Sequence, residues 1–533
     1  MKKQLTGLLF IFVFTAANAQ SKIDVLHYKF SIELNDKNDT IAGTAAITFL
    51  VKSPGVTAIF DLADNRFNEK GMKVVSASFS SRNGLPPVIE HSKNKLILTP
   101  VQGFEKGDTE KVIINYKGIP DGGLIISKNK YGNRTFFADN WPDQAHQWIP
   151  CVEDPADKAT VEFIITAPQH YQVVANGILT EETNLSGEKK LSYWKEDVPV
   201  STKVMAVGVA DFAVNLAGFV NDCIPVYSWV YPEDRDKGFF DYALAKDILP
   251  FYINNIGPYA YKKLANVQSK TSFGGLENAN TIFYTEQSID GKRSSESLMA
   301  HEIAHQWFGN MATEKSFAHL WLSEGFATYM TILYMQNKYG ADTATKMLLD
   351  DRVKVIEYSK ETDNAVINNT RSYMELLNPY SYEKGGWILH MLHRDLGDSV
   401  FWKAIRKYYA TYAGKTADTE DLRAVFESVS GKNLKQFFQQ WLFTPGLPIL
   451  EMKWKYNSKL KTVALTIIQK QLTEFRFPIN IQLHYKSGKK ADQNIMVDGR
   501  SKSIILKVSE KPSMIIADPY TSLLFEGTIN EVK

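Results

Sequence analysis

The chain has 533 residues, 44% of them hydrophobic, which is ample for packed cores, and at about 150 residues per unit its length predicts three to four structural units. Its 61 Lys and Arg against 59 Asp and Glu leave a formal charge of +2, with no basic run interleaved with aromatics. That balance creates no field for nucleic acid or an anionic lipid surface, so neither is expected as a partner.

Residues 1–19 read as a cleavable export signal. Lys2-Lys3, an apolar run from Leu8 to Phe14 and Ala17-Asn18-Ala19 before Gln20 supply the three regions of such a segment. The run is too short to span a bilayer, and no other stretch approaches eighteen apolar residues. The mature chain is therefore expected in periplasm or medium, without stable membrane insertion. Cys151 and Cys223 are expected as two unpaired thiols, since two cysteines in a chain this long make no disulfide framework.

Residues 20–215 alternate apolar and polar in short runs, as in Ala45, Ile47, Phe49 and Val51 and in Lys111-Val112-Ile113-Ile114-Asn115-Tyr116. Gly- and Pro-rich turns punctuate them, which predicts an antiparallel β domain. Across residues 216–446 the period becomes helical from Asp241 onward: Tyr242 to Leu249, Gly386 to Leu392 and Leu434 to Phe443. After Pro445-Gly446-Leu447-Pro448 alternation returns, and residues 447–533 predict a small β-sandwich with turns at Lys486-Ser487-Gly488 and Asp498-Gly499. The fold class expected is multi-domain α+β.

The chemistry concentrates in His301-Glu302-Ile303-Ala304-His305. Residues four apart on a helix leave the same face, with their imidazoles roughly 6 Å apart, which suits two nitrogens on one Zn²⁺. Glu302 is rotated by roughly 100°, a poor position for a ligand but a good one for taking the proton of a metal-acidified water. A metzincin continuation needs Gly at 308 and His at 311, and the chain has Phe308 and Met311.

The third ligand is expected from Leu320 to Tyr329, a second amphipathic helix on which Glu324 completes a His₂Glu set and leaves one position open. His319 lies five residues earlier, about 140° around such a helix, and is expected to be structural. One zinc per chain is the cofactor implied.

Upstream, Phe273-Gly274-Gly275-Leu276-Glu277-Asn278 joins this signature. Gly274 and Gly275 lack side chains, which lets backbone groups approach an extended substrate. With these residues the chain resembles the M1 family of zinc aminopeptidases, gluzincins marked by G-x-M-E-N and H-E-x-x-H-x18-E. Leu276 stands where the family usually has Met, an apolar exchange of similar volume. The runs Trp148 to Ala159 and Val200 to Phe212 also look like family segments, so the resemblance extends over about residues 25–450.

What the resemblance implies is a thermolysin-like, mostly helical catalytic domain that removes single N-terminal residues from peptides. Glu277 would hold the substrate ammonium by a charge-assisted hydrogen bond. Tyr382, in Tyr382-Glu383-Lys384-Gly385, would donate to the oxyanion, with Tyr380 as a packing residue beside it. A second amine contact often lies upstream of the Pro-Cys segment; Gln144 is nearest, at a spacing from Pro150 shorter than the usual pattern. The long helical C-terminal domain of many members is not expected within this sequence. Two alternatives use the same site: epoxide hydrolysis, known in one branch, and a non-catalytic peptide-binding scaffold. Turnover of aminoacyl anilides against lipid epoxides separates the first, and stoichiometric zinc with chelator-sensitive cleavage excludes the second.

Overall fold

In the computed structural model, which describes residues 22–55, 57–65, 69–81, 85–370 and 372–532, the alternation becomes sheet faces. The export signal expected over residues 1–19 lies outside the described residues. Along Ile41–Val51 every second side chain is buried, with Ala45, Ile47 and Phe49 fully so. This strand belongs to a seven-stranded sheet in the order Ile178–Leu185, Lys189–Ser201, Lys158–Pro168, Ile23–Glu33, Ile41–Val51, Thr109–Ile119, Gly71–Phe79. A four-stranded sheet containing Arg134–Ala138 and Val207–Ala210, and a smaller three-stranded one, complete the N-terminal region.

The expected all-antiparallel pairing needs one correction. Ile23–Glu33 pairs with Lys158–Pro168 in parallel, with Phe30 opposite Phe163. Alternation reports which face a residue takes and is blind to strand direction; a parallel pair needs a long crossover, and the strands between residues 34 and 157 supply it.

The expected change of region at residue 215/216 falls inside a strand. Ala213–Val220 pairs with Ile224–Val230 at the edge of a second sheet, whose order continues through Leu264–Ser269 and Thr281–Thr285 to the two-residue edge strand Gly275–Leu276. Sheet membership therefore changes between Ala210 and Ala213, where the local pattern alternates on both sides.

The helices described are α1 (Arg235–Tyr242), α2 (Ala245–Asn255), α3 (Glu296–Ala304), α4 (Trp321–Tyr339), α5 (Ala341–Ser359), α6 (Gly385–Leu396), α7 (Asp398–Tyr412), α8 (Thr419–Ser430) and α9 (Lys435–Leu442). The helical region opens at Arg235 and is interrupted at Ala243-Leu244, within the run Tyr242 to Leu249 whose period predicts helix. None of these helices is long and apolar enough to cross a membrane. Beyond α9, a four-stranded and a three-stranded sheet form the C-terminal region, with Met452, Trp454, Ile479 and Ile481 among its buried residues. Cys151 is buried and Cys223 exposed, and both are free thiols.

The regions are pinned to one another by buried polar contacts. Lys203 and Glu314, both almost fully buried, form an ion pair between the N-terminal and helical regions. Lys158 Nζ donates to the carbonyls of Asn310 at 2.9 Å and Met311 at 2.7 Å. On the other side Arg352 of α5 donates to Asp518 at 2.8 Å and to the Leu523 carbonyl at 2.7 Å, tying α5 to the C-terminal sheets.

One buried carboxyl strains this frame. Asp157 accepts from the Val25 amide at 3.3 Å through Oδ2 while Oδ1 has no partner, and burial pushes its pKa up to about 7. Between the unfolded value near 4 and this folded value, the unfolded chain gives up the proton and the folded one keeps it. Stability therefore falls as pH rises through that window and stays lower above it. Asp157→Asn keeps the acceptor and removes the ionisation. It is expected to raise stability at pH 8 by as much as about 4 kcal/mol and to leave it unchanged at pH 3.5, read by urea unfolding at the two pH values.

Candidate active site

Helix α3 carries His301 in its last turn, and His305 follows directly in helical geometry at its end. The ring centroids lie 4.7 Å apart, somewhat closer than helix spacing suggests, with the planes at 80°. Their Nε2 atoms are 3.1 Å apart, and Glu324 Oε2, from the first turn of α4, is 3.3 Å from His301 Nε2 and 3.2 Å from His305 Nε2. Among the described residues these three form a group able to hold a metal ion.

Corners of a triangle with these sides stand about 1.9 Å from its centre, and zinc binds imidazole nitrogen and carboxylate oxygen at about 2.0–2.2 Å. The spacing of the donor set thus fits such an ion. His305 is oriented for this from behind: its Nδ1 donates to the Phe308 carbonyl at 3.0 Å, which leaves Nε2 with its lone pair facing the other donors. Burial opposes ionisation of Glu324, but the His305 and His301 imidazoles outweigh it and hold the carboxyl well below the usual range.

Glu302 is buried beside this group. Burial pushes its carboxyl well above the ordinary value against the pull of His305, and Glu277 and Glu324 add to the rise. Its place depends on Gly275: a Cβ there would sit 2.5 Å from the Glu302 carboxyl carbon. Gly275 was expected to admit substrate backbone, and the structure adds this second reason. A Cβ on Gly274 would meet Leu298 at an ordinary 3.7 Å, and its carbonyl accepts from the Thr285 amide at 3.0 Å. Gly275→Ala is expected to lower kcat by about 10- to 100-fold, the cost of a displacement of about 1 Å at a reacting group, with little change in melting temperature.

Glu277 follows directly after the edge strand and is 6% exposed. Its backbone carbonyl is gripped by Gln306 Nε2 at 3.0 Å and Asn310 Nδ2 at 2.6 Å, while its side-chain Oε1 is buried without a hydrogen-bond partner. Leu276 between them is buried and pairs with Phe283, as an apolar residue in the family's Met position should.

Tyr382 reaches the site from a π-helical turn, Tyr380–Lys384, of the kind that often marks functional positions. Its ring stacks on His301 at 5.9 Å and 12°, which brings its hydroxyl within the field of Glu324. Burial, then the Glu324, Glu277 and Glu302 charges, push the phenol well above its usual pKa, so it stays a donor. The approach relies on glycine: a Cβ on Gly325 would lie 2.8 Å from the Gly385 backbone, so α4 meets the start of α6 directly behind Glu324 and Tyr382. Tyr380 packs edge-on against Tyr358 at 4.9 Å, away from the cavity lining. His319 bonds Thr419 Oγ1 at 2.9 Å, a structural role.

The cavity over these residues holds about 430 Å³. Gln144 is absent from its lining and is corrected here: its Nε2 bonds Asp143 at 3.3 Å and its Oε1 faces Gly122. The turn containing it directs Trp141 inward instead. Sequence reasoning also missed Asp139, whose buried carboxyl accepts from Thr271 Oγ1 and the Ser272 amide, each at 3.3 Å, and feels the charge of Glu277. Gln306 and Asn310 were missed as well; their signal was two carboxamides in the otherwise apolar run after His305.

Two histidines one turn apart on one helix, a glutamate from the next and an acid beside them have the donor arrangement of the gluzincin class. Residues 25–204 match the Peptidase M1 N-terminal domain and residues 240–441 the Peptidase family M1 domain. The chain belongs to peptidase family M1. It is 31% identical over 328 residues to Aminopeptidase M1-C of Oryza sativa subsp. japonica, covering 58% of this chain and 37% of that protein. It is 25% identical over 445 residues to Aminopeptidase M1 of Arabidopsis thaliana, covering 78% and 50%. It is 25% identical over 476 residues to glutamyl aminopeptidase of Homo sapiens, covering 83% and 49%. The chain thus spans half or less of the length of these curated relatives. A crystal structure of Legionella pneumophila aminopeptidase A in complex with aspartic acid shares the fold with a TM-score of 0.82 at 18% identity, covering 96% of this chain and 60% of that one.

Proposed function

We propose that the protein is a zinc aminopeptidase acting on peptides with a free N-terminus. The observation that carries this reading is Glu277 Oε1, a buried carboxylate oxygen without a partner at the edge of a metal-competent triad. Such an acceptor is costly unless a donor arrives, and a peptide ammonium is a donor of the right charge.

Zinc held by His301, His305 and Glu324 would supply a Lewis acid for the scissile carbonyl and acidify water at the open position. Glu302 takes the proton from the attacking water and passes it to the leaving amine. Tyr382 donates its hydroxyl hydrogen to the carbonyl oxygen as that atom gains charge. Glu277 fixes the ammonium, so that the bond cut is the first one.

The strand Gly275–Leu276 pairs on one side with Thr281–Thr285 and forms the sheet's edge on the other, the arrangement used when an extended peptide adds as a further strand. It runs alongside α3, with Gly274 near Leu298, Gly275 against Glu302 and the Glu277 carbonyl on Gln306. A substrate with its amine at Glu277 therefore lies antiparallel to it. Export beyond the inner membrane belongs to the same proposal and rests on the pattern of residues 1–19.

Paired peptides with free and acetylated N-termini test the reading. The free form is expected to be cleaved at least 100-fold faster, and Glu277→Gln to cost the free form about 10- to 100-fold, as loss of one partner of a buried charged contact does. Equal cleavage of both forms would contradict the amine-holding role and favour an endopeptidase.

A further inference from the structure

The cavity has a second wall that the chemistry above leaves unused. Its amine end lies by the N-terminus of α4: Trp141 packs edge-on against Phe273 and Phe317, each at 6.1 Å, and Phe317 opens the 3-10 turn Phe317–His319 that leads into α4. Lys203, which feels the charge of Glu277, sits 5.8 Å from the same Phe317 ring. From Glu324 the cavity face of α4 continues in the other direction through Thr328 and Thr331, about 6 and 10 Å farther along the axis. At that depth α5 presents Asp351 and Lys354, and Glu383 follows Tyr382. A peptide held by its amine at Glu277 and cut beside Glu302 sends its leaving residue toward this wall.

Lys354 Nζ lies 2.8 Å from Glu383 Oε1 and 3.3 Å from Asp351 Oδ1, and its side chain is 55% exposed against 13% for Asp351 and 16% for Glu383. It engages one oxygen of each carboxylate, and a carboxylate can accept several hydrogen bonds. With its one lysine the wall carries a net charge of −1. Burial still pushes Asp351 up to about 6 with Lys354 beside it, so one ammonium does not satisfy the pair. The wall is held in place by Arg352, between the two α5 residues, through its bonds to Asp518 and Leu523.

We propose that Asp351, Lys354 and Glu383 select the residue after the scissile bond, favouring lysine or arginine at the second position of the substrate; this rests on the aminopeptidase reading above. An incoming ammonium or guanidinium meets two mostly covered carboxylates that share a single lysine. An incoming carboxylate has to draw Lys354 away from both.

The test measures kcat/KM of the zinc-loaded full chain on alanyl dipeptide amides with Arg, Lys, Leu or Glu second, and on alanine p-nitroanilide. Arg and Lys are expected to exceed Glu by about tenfold, the scale of one partly screened ion pair. Asp351→Asn brings the wall to neutrality and is expected to shrink the Arg-to-Glu ratio to about 1–3. Lys354→Met removes the one cation and, measured at pH 8.5 so that Asp351 stays ionised, takes the wall toward −2 and is expected to widen the ratio several-fold. Opposite movements of one ratio are not produced by a merely structural role, and if Asp351→Asn does not fold, Lys354→Met alone decides. Ratios equal in wild type and variants, or a preference for Glu, overturn the inference and leave the aminopeptidase reading standing. Failure of the wild type to release alanine from any substrate, the anilide included, overturns that reading and the inference with it.

Discussion

Replacing Glu324 with alanine is expected to abolish stoichiometric zinc binding and peptide hydrolysis together. Its Oε2 stands within 3.3 Å of both histidine Nε2 atoms and supplies the negative charge of the triad. Without it two imidazoles remain, and the loss exceeds the 10- to 100-fold in metal affinity that removing an outer-shell partner costs. Metal content by elemental analysis and turnover on a free-amine peptide, measured on the same sample, check this. A variant that keeps one zinc per chain and its turnover would remove the basis of the metal site.

Tyr382→Phe is expected to lower kcat by about 10²–10³ while zinc content and melting temperature stay near wild type. The ring is buried and stacked on His301, so phenylalanine preserves the packing and loses the donor. The donor matters most as the carbonyl oxygen becomes anionic, so KM should move much less than kcat. A kcat within twofold of wild type would assign the hydroxyl a packing role and leave the oxyanion to the metal alone.

How far the site was legible follows from the range of the forces involved. His301, Glu302 and His305 could be read because four-residue spacing on a helix is local geometry, and the structure keeps them on α3 and its end. Glu324 could be read because its helix is amphipathic and begins close by, at Trp321. Glu277 and Tyr382 were reached through motif resemblance, since neither their spacing nor their composition says that an edge strand and a π-helical turn meet at the same triad.

Gln144 failed for the complementary reason. Gln144 and Trp141 are three residues apart near one turn, and which of them faces the cavity depends on how the N-terminal sheets sit on the helical region. The wall of Asp351, Lys354 and Glu383 had no local signature either, because it exists where α5 and the Tyr382 turn pack around α4.

Residue order alone thus decided the helical spacing of His301, Glu302 and His305, the helix that carries Glu324 and the β, helical, β succession of regions, all of which depend on periodicities within one or two helical turns or strands. The direction of the Ile23–Glu33 pairing, the strand that crosses the expected boundary at 215/216, and the two ends of the cavity were decided by tertiary packing. The physical reason is that backbone period sets which face a side chain takes, whereas contacts between elements tens of residues apart set what that face meets.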